Sequence, residues 1–435
     1  MSRRRGGRLW IHGGRVVDPS QDFDGAASLI VENGRISALG RDLDRPDDAR
    51  ALDASGLVVA PGFIDLHVHL REPGGEHRET IATGARAAVA GGFTTVWTMP
   101  NTDPPIDDPA AVGFVKAAGE AAAGARVMPI GAASIGMKGE QMTEIGELVA
   151  AGAVAVSDDG VPVADAGLMR RLLEYTQTFG IAVLQHSEVI ELAAGGVMNE
   201  GPVATALGLR GLPNAAEAAM IARDALLSEL TGGHLHVCHV SARESVEQLR
   251  LARDKGLRVT SEVTPHHLIL TDELVRGYNT EAKVNPPLRS ARDVEAVRRA
   301  LVDGVIDVIA TDHAPHHYEE KEREFDDAPF GINGLETAFG LCMKALVEPG
   351  HMTLATLIDR MSCGPARIME LETGTLRPGA PADIVILDPE ETWTVEPGRF
   401  HSKSRNTPIA GWELPGRVRR TLVGGETRYD VEGSR

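Results

Sequence analysis

The period of the apolar residues changes along the chain. From Leu9 to about Ala60 they fall in short runs, Leu9-Trp10-Ile11-His12, Arg15-Val16-Val17-Asp18, Ser28-Leu29-Ile30-Val31 and Arg35-Ile36-Ser37-Ala38-Leu39, separated by glycine-containing turns. Short runs between turn residues predict a small β unit. Comparable runs return at 382–388, 393–395 and 420–423. The two ends are expected to build one β-sandwich, with residues 1–60 and 367–435 as its halves and residues 61–366 inserted between them.

Within the insert, apolar strands alternate with alanine-rich amphipathic helices, the pattern of βα repeats around a parallel sheet. Asp107 or Asp108 before Pro109 opens a helix that stops near Gly124, Asn214 with Glu217 resembles a capping box, and Gly91 and Gly180 end other helices. Strands are expected near 63–69, 93–99, 126–132, 153–159, 181–186, 234–239, 258–264 and 307–312. That number closes a (β/α)8 TIM-type barrel of the α/β class, whose chemistry sits at the C-terminal ends of the strands.

Reactive residues gather at those ends. The apolar run 58–64 is followed by Asp65-Leu66-His67-Val68-His69. Residues i and i+2 of a strand share a face, so His67 and His69 project together while Val68 packs the other way. Later strands end in Asp158-Asp159, His186, His239 and Asp312. Imidazoles and carboxylates suit zinc without a thiolate. Strand alternation is expected to aim Cys238, the neighbour of His239, outward towards the helices. Four histidines and two aspartates exceed one tetrahedral shell, which points to a binuclear centre.

A formal net charge of -18 argues against nucleic acid or an anionic membrane as the main partner. An anionic substrate needs local positive charge, and Arg71, two residues past His69, offers a planar fork for a carboxylate. Cys238, Cys342 and Cys363 have no metal or disulfide spacing and fit a reducing compartment, the cytoplasm. Met1-Ser2-Arg3-Arg4-Arg5 lacks a following apolar stretch and reads as a solvated tail. No uninterrupted apolar segment approaches membrane-span length.

The stretch Pro61-Gly62-Phe63-Ile64-Asp65-Leu66-His67-Val68-His69-Leu70-Arg71-Glu72-Pro73-Gly74, with Met99-Pro100-Asn101-Thr102 and Ala310-Thr311-Asp312-His313-Ala314-Pro315-His316, resembles the bacterial class I dihydroorotases of the amidohydrolase superfamily. The resemblance covers essentially the whole chain. It implies reversible cyclisation of N-carbamoyl-L-aspartate to L-dihydroorotate in pyrimidine synthesis, with His67, His69 and Asp312 on one zinc, His186 and His239 on a second, and Asp159 bridging. Relatives with a carboxylated lysine bridge differ from this chain, where Val156-Ser157-Asp158-Asp159-Gly160 stands at that place. Asp158 stays open as the alternative bridge, as does occupancy by one zinc or two.

The same resemblance gives Asp312 the proton transfers and extends substrate binding to His69, Arg71, Asn101, Asn285, His316, Phe330 and Gly331. For Asn285 and His316, turn chemistry among prolines is the competing explanation. A homodimer and a complex with aspartate transcarbamoylase are the partner states it raises. Competing functions are a hydantoinase or allantoinase on the same scaffold and a catalytically silent partner of the transcarbamoylase. His266, His267, His313 and Glu188 are read as support around the site, and His77, His234, His236 and His317 are not read as ligands. The run Glu319-Glu320-Lys321-Glu322-Arg323-Glu324 reads as solvated, and Met137 to Met142 as packing.

Overall fold

The computed structural model describes residues 7–433, so the arginine-rich start of the chain lies outside the described residues. Both chain ends enter one six-stranded sheet, in the order Glu426–Asp430, Glu413–Val423, Ile384–Thr394, Val58–Pro61, Arg15–Asp18 and Phe23–Ala26. Ile384 to Leu387 run antiparallel to Pro61 to Val58, which ties the C-terminal strands to the entry of the first inner strand. A four-stranded sheet, Arg35–Gly40, Ser28–Glu32, Leu9–His12 and Arg50–Asp53, faces it. Leu9, Ile11, Leu29 and Ile36 share one buried cluster with Val16, Val59, Ile384 and Ile386, so the two sheets bury a common core.

The middle of the chain is mixed α/β with parallel strands. Phe63–Val68, Phe93–Thr98 and Arg126–Pro129 pair in chain order, and Gly131–Ala132, Val156–Ser157, Val183–Gln185, Leu235–Val237, Val259–Val263 and Val308–Ile309 continue that order in a second ladder. The ladder breaks around Pro129, which has no N–H to donate; Ile130 N still donates to Thr98 O and Gly131 N to Ala155 O, both at 3.0 Å. At the opposite edges Val68 bridges His313 in parallel, and His69 N donates to His313 O at 2.9 Å.

Two faces follow from strand alternation, reset in strand Phe63–Val68 by a register shift between Asp65 and Val68 that turns Val68 away from the face of Ile64 and Leu66. Val68, Val96, Val127, Val183, Leu235, Val237 and Ile309 pack in a cluster with helix residues such as Val89, Val112, Leu148 and Leu172. Ile64, Leu66, Trp97, Met99, Ile130, Leu184 and Val308 form a separate inner cluster drawn almost entirely from the strands. Helix Pro109–Ala121 starts as its sequence requires, with Asp108 accepting from Ala111 N and Pro109 at the first turn.

The capping box expected at Asn214 and Glu217 does not form. Helix Asn214–Thr231 has Pro213 at its cap, and Asn214 Nδ2 instead donates to Glu244 and Asp293. Glu217 is claimed by tertiary partners: it accepts from Ser241 N and Ala242 N, pairs with the Ser241 hydroxyl, and faces Arg289 at 3.5 Å. Among the described residues no helix is long and apolar enough to cross a membrane.

Candidate metal centre and active site

The residues singled out at strand ends converge. His67 lies in strand Phe63–Val68 and His69 just past it, and their rings stand 5.2 Å apart. Ligand atoms of His67, His69 and Asp312 lie within 4.8 Å of one another, as do those of His67, Asp159 and His239. Asp159 divides its oxygens. Oδ2 is 3.3 Å from His67 Nε2 and 3.5 Å from His69 Nε2, whereas Oδ1 is 3.3 Å from His239 Nε2 and 3.6 Å from His186 Nδ1. His186 Nδ1 and His239 Nε2 face each other at 3.0 Å. Asp312 Oδ1 sits 3.1 Å from His69 Nε2 and 3.5 Å from His67 Nε2. Asp158 points elsewhere, accepting from Ala133 N, Ser134 N and the Ser134 hydroxyl to hold the neighbouring loop.

Hydrogen bonds orient the rings. His67 Nδ1 is 2.7 Å from Glu262 Oε1 and His69 Nδ1 is 2.8 Å from Asn101 Oδ1, so each histidine donates there and turns the bare Nε2 to the centre. His67 Nε2 is buried and makes no hydrogen bond among the described residues. Burial alone would raise the Asp159 carboxyl, but the charge on His67 and hydrogen bonds with His186 and His239 hold it well below its usual range. Asp312 is likewise held down against burial by His67 and His69. Burial lowers His67, but Asp159, Asp312 and Glu262 drive it well above its ordinary value. The carboxylates thus demand positive charge at a point where bare imidazole nitrogens also converge, which is a donor set a divalent cation fits.

Three residues of this centre have left-handed backbone, Arg71 at φ 61°, His239 at φ 34° and Asp312 at φ 47°. The turn at His239 corrects the expectation for Cys238. Leu235 and Val237 face the helices, so alternation sends Cys238 inward, where it joins the inner cluster. The left-handed turn then returns His239 to the same side. The Cys238 sulfur lies within 4.8 Å of ligand atoms of His67 and Glu262. Burial, with Glu262 beside it, pushes the thiol far up, so it is a protonated neighbour.

Above the centre opens a cleft of about 300 Å³ lined by His69, Arg71, Asn101, Asp159, His186, Asn285, Asp312, His316, Phe330 and Gly331 among others. Every residue expected to touch substrate is on this wall. Arg71 is half-buried, with Nε donating to Pro315 O at 3.2 Å. Burial and Arg78 lower it to about 10, so it remains a cation at neutral pH. His316 Nε2 donates to Phe330 O at 2.8 Å. Asn285 Nδ2 donates to Glu188 at 3.0 Å beside His186, and its Oδ1 is buried without a partner among the described residues. His267 links Thr264 to Pro286 O, and His313 lies 3.4 Å from Glu79, so both brace loops behind the site.

The acidic run after the cleft histidine is only partly solvated. Lys321 is buried, and its ammonium donates to the carbonyls of Thr280, Lys283 and Pro329, while Glu320 pairs with Arg78 at 2.6 Å. These bonds fasten the loop bearing Phe330 and Gly331 to the one bearing Asn285. Sequence reasoning also missed Glu262. Its signal was a lone carboxylate inside the run Val259–Val263, with the parity of Thr260 and Thr264.

The Dihydro-orotase-like family model matches residues 56–245. The chain is 51% identical over 421 residues to a dihydroorotase of Geobacter metallireducens, covering 97% of this chain and 99% of the relative. It is 54% identical over 427 residues to one of Anaeromyxobacter dehalogenans, covering 98% of each. Among solved structures it is similar to an L-hydantoinase (dihydropyrimidinase) from Arthrobacter aurescens, with a TM-score of 0.86, 26% identity, and coverage of 96% of this chain and 95% of that one. A D-hydantoinase from a Thermus species gives a TM-score of 0.83 at 26% identity, with 97% and 96% covered.

Proposed function

The chain belongs to the dihydroorotase family, and from that premise we propose that it is a metal-dependent cyclic amide hydrolase interconverting N-carbamoyl-L-aspartate and L-dihydroorotate in pyrimidine synthesis. The observation that carries the substrate is the placing of the Arg71 guanidinium on the same cleft wall as Asp159 and Asp312. A chain of net charge -18 keeps a cation there, as a carboxylated ring requires.

His67, His69 and Asp312 would hold one zinc and His186 and His239 a second, with Asp159 as the carboxylate that would be shared between them. The support is the division of the two Asp159 oxygens between the two histidine pairs. Bound zinc supplies Lewis acidity that polarises the amide carbonyl and acidifies water. In ring opening Asp312 accepts the proton of the attacking water and delivers it to the departing ring nitrogen; in ring closure it accepts the proton of the ureido nitrogen. Arg71 binds the carboxylate that does not react. Asn101 has its Oδ1 engaged by His69 and offers its amide N–H groups to the substrate. Asn285, His316 and the Phe330–Gly331 backbone complete the wall.

The scaffold is a (β/α)8 barrel at 61–366 with the sandwich halves 1–60 and 367–435. Strands laddered in chain order, whose outer edges meet through Val68 and His313, support the closure. Cytoplasmic operation fits three free, buried cysteines. Homodimerisation and a complex with aspartate transcarbamoylase are tested by mass in solution, alone and mixed. The function itself is tested with zinc-loaded protein on L-dihydroorotate, hydantoin and dihydrouracil. Turnover of dihydroorotate is expected, with little of the two rings that lack the carboxylate. Opening of hydantoin or dihydrouracil alone would replace this reading with a hydantoinase.

A further inference from the structure

Below the centre, the inner face of two neighbouring strands is polar where the rest of that face is apolar. His236 and Thr260 are register partners on Leu235–Val237 and Val259–Val263. His234 Nε2 lies 2.9 Å from Thr260 Oγ1, and Thr260 Oγ1 lies 2.8 Å from His236 Nδ1. His236 Nε2 lies 3.1 Å from Glu262 Oε2, and Glu262 Oε1 lies 2.7 Å from His67 Nδ1. Thr260 is half-buried and the other four are buried. This thread runs from the start of one strand to the metal-facing ring of another.

With a cation taking the place of the proton on His67 Nε2, so that every imidazole is neutral, one order of protons satisfies every contact. The Glu262 carboxylate accepts at both oxygens, so His67 Nδ1 and His236 Nε2 both carry hydrogen. His236 Nδ1 is then a lone pair and takes the Thr260 hydroxyl proton, and the Thr260 oxygen accepts from His234 Nε2. His234 suits that role because burial, with His236 and Arg258 nearby, lowers its ring to about 3 and keeps it neutral. The donors from His234 to His236 run towards the Glu262 carboxylate, and His67 Nδ1 donates to it from the other side, so His67 Nε2 is left bare 3.3 Å from Asp159 and 3.5 Å from Asp312.

We propose that His234, Thr260, His236 and Glu262 form a positioning relay that fixes the tautomer of His67 and strengthens the hold of the centre on its divalent cation. This rests on the metal reading above. Thr260 selects which nitrogen of His236 bears hydrogen; without its hydroxyl, His236 can turn a lone pair on Glu262 and loosen the carboxylate that steers His67. Groups that orient metal-binding histidines in this way are commonly worth about 10- to 100-fold in metal affinity.

The test uses metal-stripped full-length protein, zinc affinity by chelator competition, and the visible spectrum after Co2+ loading. Glu262→Gln and His236→Leu are expected to weaken zinc by about 10- to 100-fold and shift the cobalt bands. His236→Gln, which keeps a donor near the Nε2 position, is expected to recover most of that loss. Thr260→Val, the mildest change, should weaken zinc several-fold and serves if the buried variants fail to fold. Parental affinity and spectrum in all the folded variants would overturn the relay. A parent that binds neither ion would overturn the metal reading, and the relay with it.

Discussion

Arg71 and Asp312 face one cleft, but the tasks assigned to them separate in kinetics. Asp312→Asn keeps an oxygen donor at nearly the same shape and loses the proton acceptor. It should lower kcat by about 10²- to 10⁴-fold, with metal content measured alongside. Arg71→Lys replaces a two-pronged donor with a point charge and should raise KM about 10-fold or more with a smaller change in kcat. Unchanged steady-state kinetics in either variant would remove its assigned role. The histidines that cluster at the centre were legible because each stands at the polar end of an apolar run. The inward Cys238 was not, because a left-handed turn at His239 breaks the alternation on which that reading relied. Asp158 and Asp159 could not be separated without knowing that the Ala133–Ser134 backbone waits for a carboxylate.

At the scale of elements, buried polar side chains lock strand ends to helices. Glu217, on Asn214–Thr231, accepts from the backbone just before Arg243–Asp254 and pairs with Arg289, and so fixes the loop that follows His239. Removing one partner of a buried pair strands the other, so Glu217→Ala should cost about 3–5 kcal/mol in denaturant unfolding. Local sequence suggested a capping box here; tertiary bonds outcompeted it. The His234 ring adds a pH dependence. Its pKa is lowered on folding to about 3, so its contribution is present above the unfolded value near 6.5 and is lost as pH falls from there towards 3. Metal-free His234→Gln should therefore lose less melting temperature than the metal-free parent between about pH 7 and pH 4. Equal losses would show that this ring is not among the groups that titrate on acid unfolding.

Over the whole molecule, the centre draws on residues from His67 to Asp312, which meet only when the parallel strands are laddered in order. A cation bound there stabilises the folded chain by mass action. Chelation should lower the melting temperature, and zinc should restore it; a melting temperature indifferent to chelator would argue against tight binding. The pairing of the two chain ends was legible from returning short runs, since strands need partners. Strands Phe23–Ala26 and Arg50–Asp53 were not, because their exposed, polar-rich faces give weak alternation.

The left-handed backbone at Arg71, His239 and Asp312 has a consequence for evolution and engineering. Such conformations in residues other than glycine cost on the order of 1–3 kcal/mol each. Glycine adopts them freely. A screen rewarding heat resistance alone would therefore tend to enrich glycine at these three positions, discarding the side chains proposed as carboxylate anchor, imidazole ligand and proton carrier. The most rugged descendants of this chain would be expected to be inert, and sturdiness here has to be selected together with turnover.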